Sequence, residues 1–104
     1  MKRVVVTGMG LVTPLGSGVN ASWRRLRTGQ SGINAIQSFD VSDLPVKIGA
    51  EVPQGDESDG RFNADDWVAA PERRKMDDFI VYALAAATQA VEDSGWSAET
   101  DEAR

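Results

Sequence analysis

Apolar residues arrive in three different rhythms along the chain. Residues 4–6 are three valines in a row, behind Lys2 and Arg3 and ahead of Thr7. An unbroken β-branched run suits a strand covered on both faces, as in the parallel sheets of layered α/β folds, and predicts a central strand over residues 3–7. A glycine-rich loop follows, with Gly8, Gly10, Pro14, Gly16 and Gly18. From Val19 the spacing changes to four and three (Val19, Trp23, Leu26), with Arg24, Arg25 and Arg27 between. That is a helical period, and Gly29 is its stop. Residues 30–45, QSGINAIQSFDVSDLP, predict a loop. Residues 46–52, VKIGAEV, alternate apolar and polar well enough for a second strand, ended by Pro53.

The second half is more polar until its last long segment. GDESDG, residues 55–60, reads as a surface turn or a poorly ordered loop. Asn63 through Val68 predicts a short helix, capped by Asn63 with Asp65 and Asp66 in its first turn. Pro71-Glu72-Arg73-Arg74-Lys75 is a charged corner. The strongest helix spans 76–94, MDDFIVYALAAATQAVEDS, and Gly95 is its stop. Positions 78, 82, 85, 89 and 92 form a narrow polar or small stripe, and nearly everything else is apolar. A helix of that kind needs partners on most sides, so Phe79, Ala83, Leu84, Ala87 and Val91 are expected among its least exposed residues in the assembled protein. The polar tail SAETDEAR reads as a linker or frayed end. Two strands and about three helices are too few for a sheet that stands alone. The pattern therefore describes a piece of something larger, or a chain completed by a partner.

Composition narrows the chemistry. With 41% hydrophobic and 26% charged residues among 104, the chain has the balance of one small globular region. No apolar run approaches the roughly 20 residues of a membrane-spanning helix, and the start, MKRVVV, is a poor secretory signal. There is no cysteine, which excludes a disulfide framework and makes the cytoplasm the default expectation. There is no histidine either. Thiol nucleophiles, imidazole bases and the common metal sites are thereby excluded within these residues; an EF-hand reading of Asp56, Glu57 and Asp59 fails on spacing. Residues 1–50 hold six Lys/Arg against two Asp, and residues 51–104 hold five Lys/Arg against fourteen Asp/Glu. The net −5 argues against a nucleic-acid binder, and the cations of the first half read as solvated surface.

The stretch VVVTGMGLVTPLG raises the question of a nucleotide site. A dinucleotide loop needs G-x-G-x-x-G with the helix starting inside it. Gly8 and Gly10 fit, but the third position is Thr13, Pro14 follows, and the helical pattern waits until Val19. A structural glycine turn is the better reading. Thr7 and Thr13 have no base beside them. Asp65-Asp66 and Asp77-Asp78 sit at expected helix starts, where carboxylates favour the helix dipole. Trp23, Trp67 and Trp96 read as packing residues.

An ordered set of short motifs does point somewhere. VVVTGMGLVTPLG is followed by Trp23, by Leu26, Gly29, Ser31, Gly32 and Ile33, by Phe39-Asp40, by Arg74-Lys75-Met76-Asp77, and by Ala90 with Asp93-Ser94-Gly95. Together these resemble the N-terminal region of the β-ketoacyl-acyl carrier protein synthases, of the elongating, type II kind, over nearly the whole chain. The acidic 55–60 stretch departs from the shorter loop of that family, at a place that should not touch the core.

The resemblance implies an α/β fold: residues 1–104 as the N-terminal segment of the first half of a thiolase-like, layered α/β/α/β/α architecture, not a complete catalytic domain, and a homodimer at full length. It implies a decarboxylating Claisen condensation of acyl and malonyl carrier thioesters, with no cofactor and no metal. The reaction uses a cysteine thiolate, polarising histidines and backbone amides around an oxyanion. With no Cys and no His here, the catalytic residues are expected beyond Arg104, and none is assigned within the chain. The partners implied are an acyl carrier protein and the remainder of the same synthase. Carriers are acidic, and the family meets them with basic residues beside its pocket mouth. The matching positions here are Arg74 and Lys75, with Arg73 beside them, while Pro71 stands where a further cation is expected. Two readings of another class stay open: a non-catalytic helical interaction module, and a small α/β binding domain. Acyl-chain length preference is not legible in these residues.

Overall fold

The computed structural model describes residues 1–97. The polar tail beyond Ser97 lies outside them.

The first ordered unit is built around a tight hairpin. Strand β1 (Val12–Thr13) pairs antiparallel with β2 (Gly16–Ser17), with Pro14 and Leu15 in the turn between. The Thr13 hydroxyl accepts from Leu15 N at 3.1 Å and lies 2.8 Å from the Ser22 hydroxyl, which donates to Gly16 O at 3.2 Å. Thr13 thus shapes the turn. Helix α1 (Val19–Arg27) follows at once, with Thr28 as C-cap and Gly29 at φ 79° closing it, as the spacing predicts. Its inward face is not the one its apolar spacing marks. Ala21 and Ser22 are buried, whereas Trp23 and Leu26 stand exposed. Only small residues fit there, because the hairpin and Gly60 lie directly against this face.

Strand β3 (Ile33–Ala35) pairs antiparallel with β4 (Ile48–Ala50), in the register Ile33 to Ala50 and Ala35 to Ile48. Strand β4 falls inside the predicted 46–52 strand. Strand β3 falls inside a predicted loop. With only three residues, one of them asparagine, it has no run of its own to announce it, and its partner defines it. The connecting loop is tied back by Glu51, whose carboxylate accepts from Gln37 N at 2.8 Å and Ser38 N at 3.3 Å. The Ser38 side chain first, and then the Gln37 amide, hold the Glu51 carboxyl below its ordinary range.

The acidic stretch 55–60 is a surface turn, as expected, and it is tied to the rest of the fold at Glu57 and Gly60. Asp56 caps a single 3-10 turn, Glu57–Asp59, by accepting from Ser58 N, and Gly60 at φ 75° ends it and is buried. Ser17 N donates to Gly60 O at 2.9 Å. Arg25 donates to Asp59 O at 2.6 Å and also bonds Leu15 O. Arg25 is therefore a bracket between α1 and the acidic turn, not the solvated cation its pattern predicts. A second 3-10 turn, Ala64–Asp66, is capped by Asn63, whose side chain accepts from Asp65 N at 3.0 Å. This is the predicted short helix in abbreviated form. Helix α2 (Ala70–Arg73), with Pro71 in its first turn, leads to α3 (Asp78–Ser94), which ends at Gly95 with φ 68°.

The core sits where α3 meets the 62–68 segment. Phe62, Val68, Val81 and Ala85 are buried, with Val12, Val52, Met76 and Tyr82 packed around them. Phe62, only 1% exposed, meets Tyr82 edge to face at 5.0 Å between ring centroids. The core is small. A radius of gyration of 16.7 Å, against about 13 Å for a compact domain of this length, says the same of the whole.

One expectation fails here, and a second, made for the assembled protein, is not met within this chain alone. Residues 3–7 form no strand, and Val4, Val5 and Val6 are 95%, 74% and 81% exposed. A strand exists through its partners' hydrogen bonds, and none of the described residues reaches this run. On α3, Phe79, Ala83, Leu84, Ala87 and Val91 are exposed. The stripe that read as polar or small, through Tyr82, Ala85 and Gln89, is the one facing the rest of the chain.

Candidate functional site

The glycines of the first loop answer to α3 and not to a ligand. Residues 8–11 lie along the C-terminal half of that helix. Met9 N donates to Asp93 Oδ2 and Leu11 N to Gln89 Oε1, each at 3.0 Å. A Cβ on Gly8 would intrude on the Ala90 carbonyl and Ser94, and one on Gly10 would intrude on the Ala86 carbonyl and lie 2.8 Å from Gln89 Cβ. The amides that would cradle a phosphate are aimed at helix side chains instead. The requirement for glycine is close approach of two backbones, as the structural reading expects.

The carboxylate pairs are likewise structural. Asp77 is the N-cap residue of α3 and Asp78 opens its first turn, while Asp65 and Asp66 lie in the first turn of a capped 3-10 segment. Tyr82 accepts from Gln54 Nε2 at 3.1 Å. Partial burial, reinforced by the nearby Asp78 charge, pushes its phenol above the ordinary value despite that bond. It therefore stays protonated near neutrality. Among the described residues no group of three or more carboxylates could hold a metal ion.

What remains is the cationic corner between the second 3-10 turn and α3. Its three cations do not behave alike. Arg73, in the last turn of α2, forms an ion pair with Asp65, and its side chain is 29% exposed. Arg74 and Lys75 follow as exposed residues, their backbones closed by bonds to Ala70 O and Glu72 O. Among the described residues neither joins an ion pair. Of the three cations singled out in the sequence, Arg74 and Lys75 present free charge together, and Arg73 is engaged internally. The corner also has supports that the sequence does not show. Glu57 Oε1 accepts from Trp67 Nε1 at 2.7 Å, from Ser17 Oγ at 3.2 Å and from Asn63 N at 3.5 Å. The one available signal was the unusual acidic stretch itself, whose partners lie up to 40 residues away.

The family model "Beta-ketoacyl synthase, N-terminal domain" matches residues 1–104. The chain is 55% identical over 102 residues to 3-oxoacyl-[acyl-carrier-protein] synthase 2 of Rhizobium meliloti, covering 98% of this chain and 24% of that protein. It is 43% identical to the synthase 2 of Vibrio cholerae over 90% of this chain and 21% of that one. Among solved structures, the ishigamide ketosynthase/chain length factor superposes with a TM-score of 0.76 at 33% identity, over 92% of this chain and 22% of that one. The chain thus spans about a quarter of the length of the relatives it matches. The chain belongs to the β-ketoacyl synthase family, and its α/β fold is the N-terminal portion of the layered thiolase-like architecture.

Proposed function

We propose that residues 1–104 are the N-terminal segment of the first thiolase-like half of a 3-oxoacyl-[acyl-carrier-protein] synthase that elongates fatty acyl chains. The observation that carries this is the 55% identity, across 98% of the chain, to a protein named as such. In the reaction an acyl group passes from carrier phosphopantetheine to a cysteine thiolate. Malonyl-carrier then loses carbon dioxide, and the carbanion so formed attacks the thioester, releasing the thiolate and leaving a 3-oxoacyl-carrier two carbons longer. These residues include no Cys and no His, so the rest of the synthase supplies nucleophile and polarising groups. The segment supplies part of the wall around them and a docking surface for the carrier, and the full-length enzyme works as a homodimer in the cytoplasm. A free-standing interaction module or small binding domain has no support in a chain matched throughout to a ketosynthase domain.

Docking rests on Arg74 and Lys75, with Arg73 as their support. Exposed pairs contribute little singly, roughly 0.2–1 kcal/mol each, so the corner acts through several contacts and faster encounter with an acidic carrier. In the intact synthase, Arg74→Glu with Lys75→Glu raises the KM for acyl-carrier several-fold and spares turnover of a carrier-free acyl thioester. Added salt weakens the wild type towards the variant, because such contacts are screened. An equal loss with both substrates would assign the corner to the fold and remove the docking role.

A further inference from the structure

We infer that Glu57 and Asp65 are positioning residues for the Arg74–Lys75 pair; the inference rests on the docking role proposed for that pair. Helix α2 is four residues long, and its N-cap residue, Ala69, offers no side-chain bond. A single turn fixes few hydrogen bonds for the dihedrals it orders, so α2 does not hold its own direction. Side chains from outside it do. Arg73, immediately before the pair, is held by Asp65. Asp65 stands in the 3-10 turn whose C-cap residue is Trp67, and the Trp67 indole N–H donates to Glu57 at 2.7 Å. Glu57 is fastened in turn to the hairpin through Ser17, and its loop to α1 through Arg25. The Glu57 ties are part-buried, the Arg73–Asp65 pair is exposed on its carboxylate side, and Arg74 and Lys75 are exposed beyond them, which is the arrangement of a bracket that presents two charges.

Charge sign separates positioning from plain electrostatics. Both carboxylates belong to the bracket behind a surface proposed to meet an acidic partner. Acting by charge alone, they would repel it, and neutralising either would tighten binding. Acting as positioning residues, they do the reverse, because α2 loses its fixed orientation when a tie is weakened.

The test uses the intact synthase with Asp65→Asn and Glu57→Gln, which keep shape and an acceptor oxygen while removing charge. The readout is the ratio of the KM for acyl-carrier to the KM for a carrier-free acyl thioester, which general damage to the fold leaves unmoved. Each variant is expected to raise that ratio about 2- to 5-fold, the range that corresponds to losing one exposed ion pair, for Asp65, or weakening a hydrogen bond to a carboxylate, for Glu57. Asp65→Asn should add nothing when Arg74 and Lys75 are already reversed. If both variants lower the ratio or leave it at the wild-type value while the Arg74/Lys75 reversal raises it, the positioning role is overturned and the docking role stands. If the reversal itself leaves the ratio unchanged, docking fails and positioning fails with it.

Discussion

Gly10 shows how much a single residue can fix here. Its amide neighbours are bonded to Gln89 and Asp93, and the space a Cβ would take is filled by the Ala86 carbonyl. Gly10→Ala should force residues 8–11 off α3, costing about 1–3 kcal/mol as overpacking does. The measurement is the thermal inactivation midpoint of the intact synthase, and a wild-type midpoint would mean that the loop does not bear on α3. That glycines were needed was legible from their density between a valine run and a helix. What they faced was not, since Ala86 and Ala90 lie some eighty residues downstream. The same separation hid Arg25 and Glu57. A charged residue on a helix or in an acidic loop looks solvated until the fold brings its partner, here 34 or 40 residues away in the chain.

Elements were legible in proportion to how far their own residues determine them. Helices α1 and α3 and the Asn63 cap follow from periodicity and terminal signals, and all three are present. The strands depend on partners. Residues 48–50 pair with a segment that has no strand pattern of its own, and residues 3–7, with the best strand pattern in the chain, pair with nothing described. Helix α3 carries the sharpest lesson. Its apolar sides were expected inside, yet the segment packs on the Tyr82–Ala85–Gln89 stripe and leaves Phe79, Leu84 and Val91 exposed. Both statements hold together if the rest of the synthase covers the remaining sides. Ala87→Leu distinguishes the cases. In the intact synthase it should overpack a covered face and cost about 1–3 kcal/mol, read as a lower denaturation midpoint. An unchanged midpoint would place this side of α3 at the surface.

At the scale of the molecule, a small core, an expanded radius of gyration and three bare valines go with a chain that spans about a quarter of the length of its relatives. Family membership was readable from the ordered motifs. The candidate corner was readable only as charge, since its supports come from contacts across the fold. The central claim is that this segment contributes architecture and docking to a condensing enzyme whose reacting groups lie elsewhere. It is tested most directly by assaying malonyl-carrier and acyl-carrier side by side with the intact synthase and with residues 1–104 alone, following carbon dioxide and the mass of the carrier-bound product. The account predicts a 3-oxoacyl product two carbons longer from the intact protein and nothing above buffer from the segment. Product from the segment alone, or none from the intact protein, would contradict it.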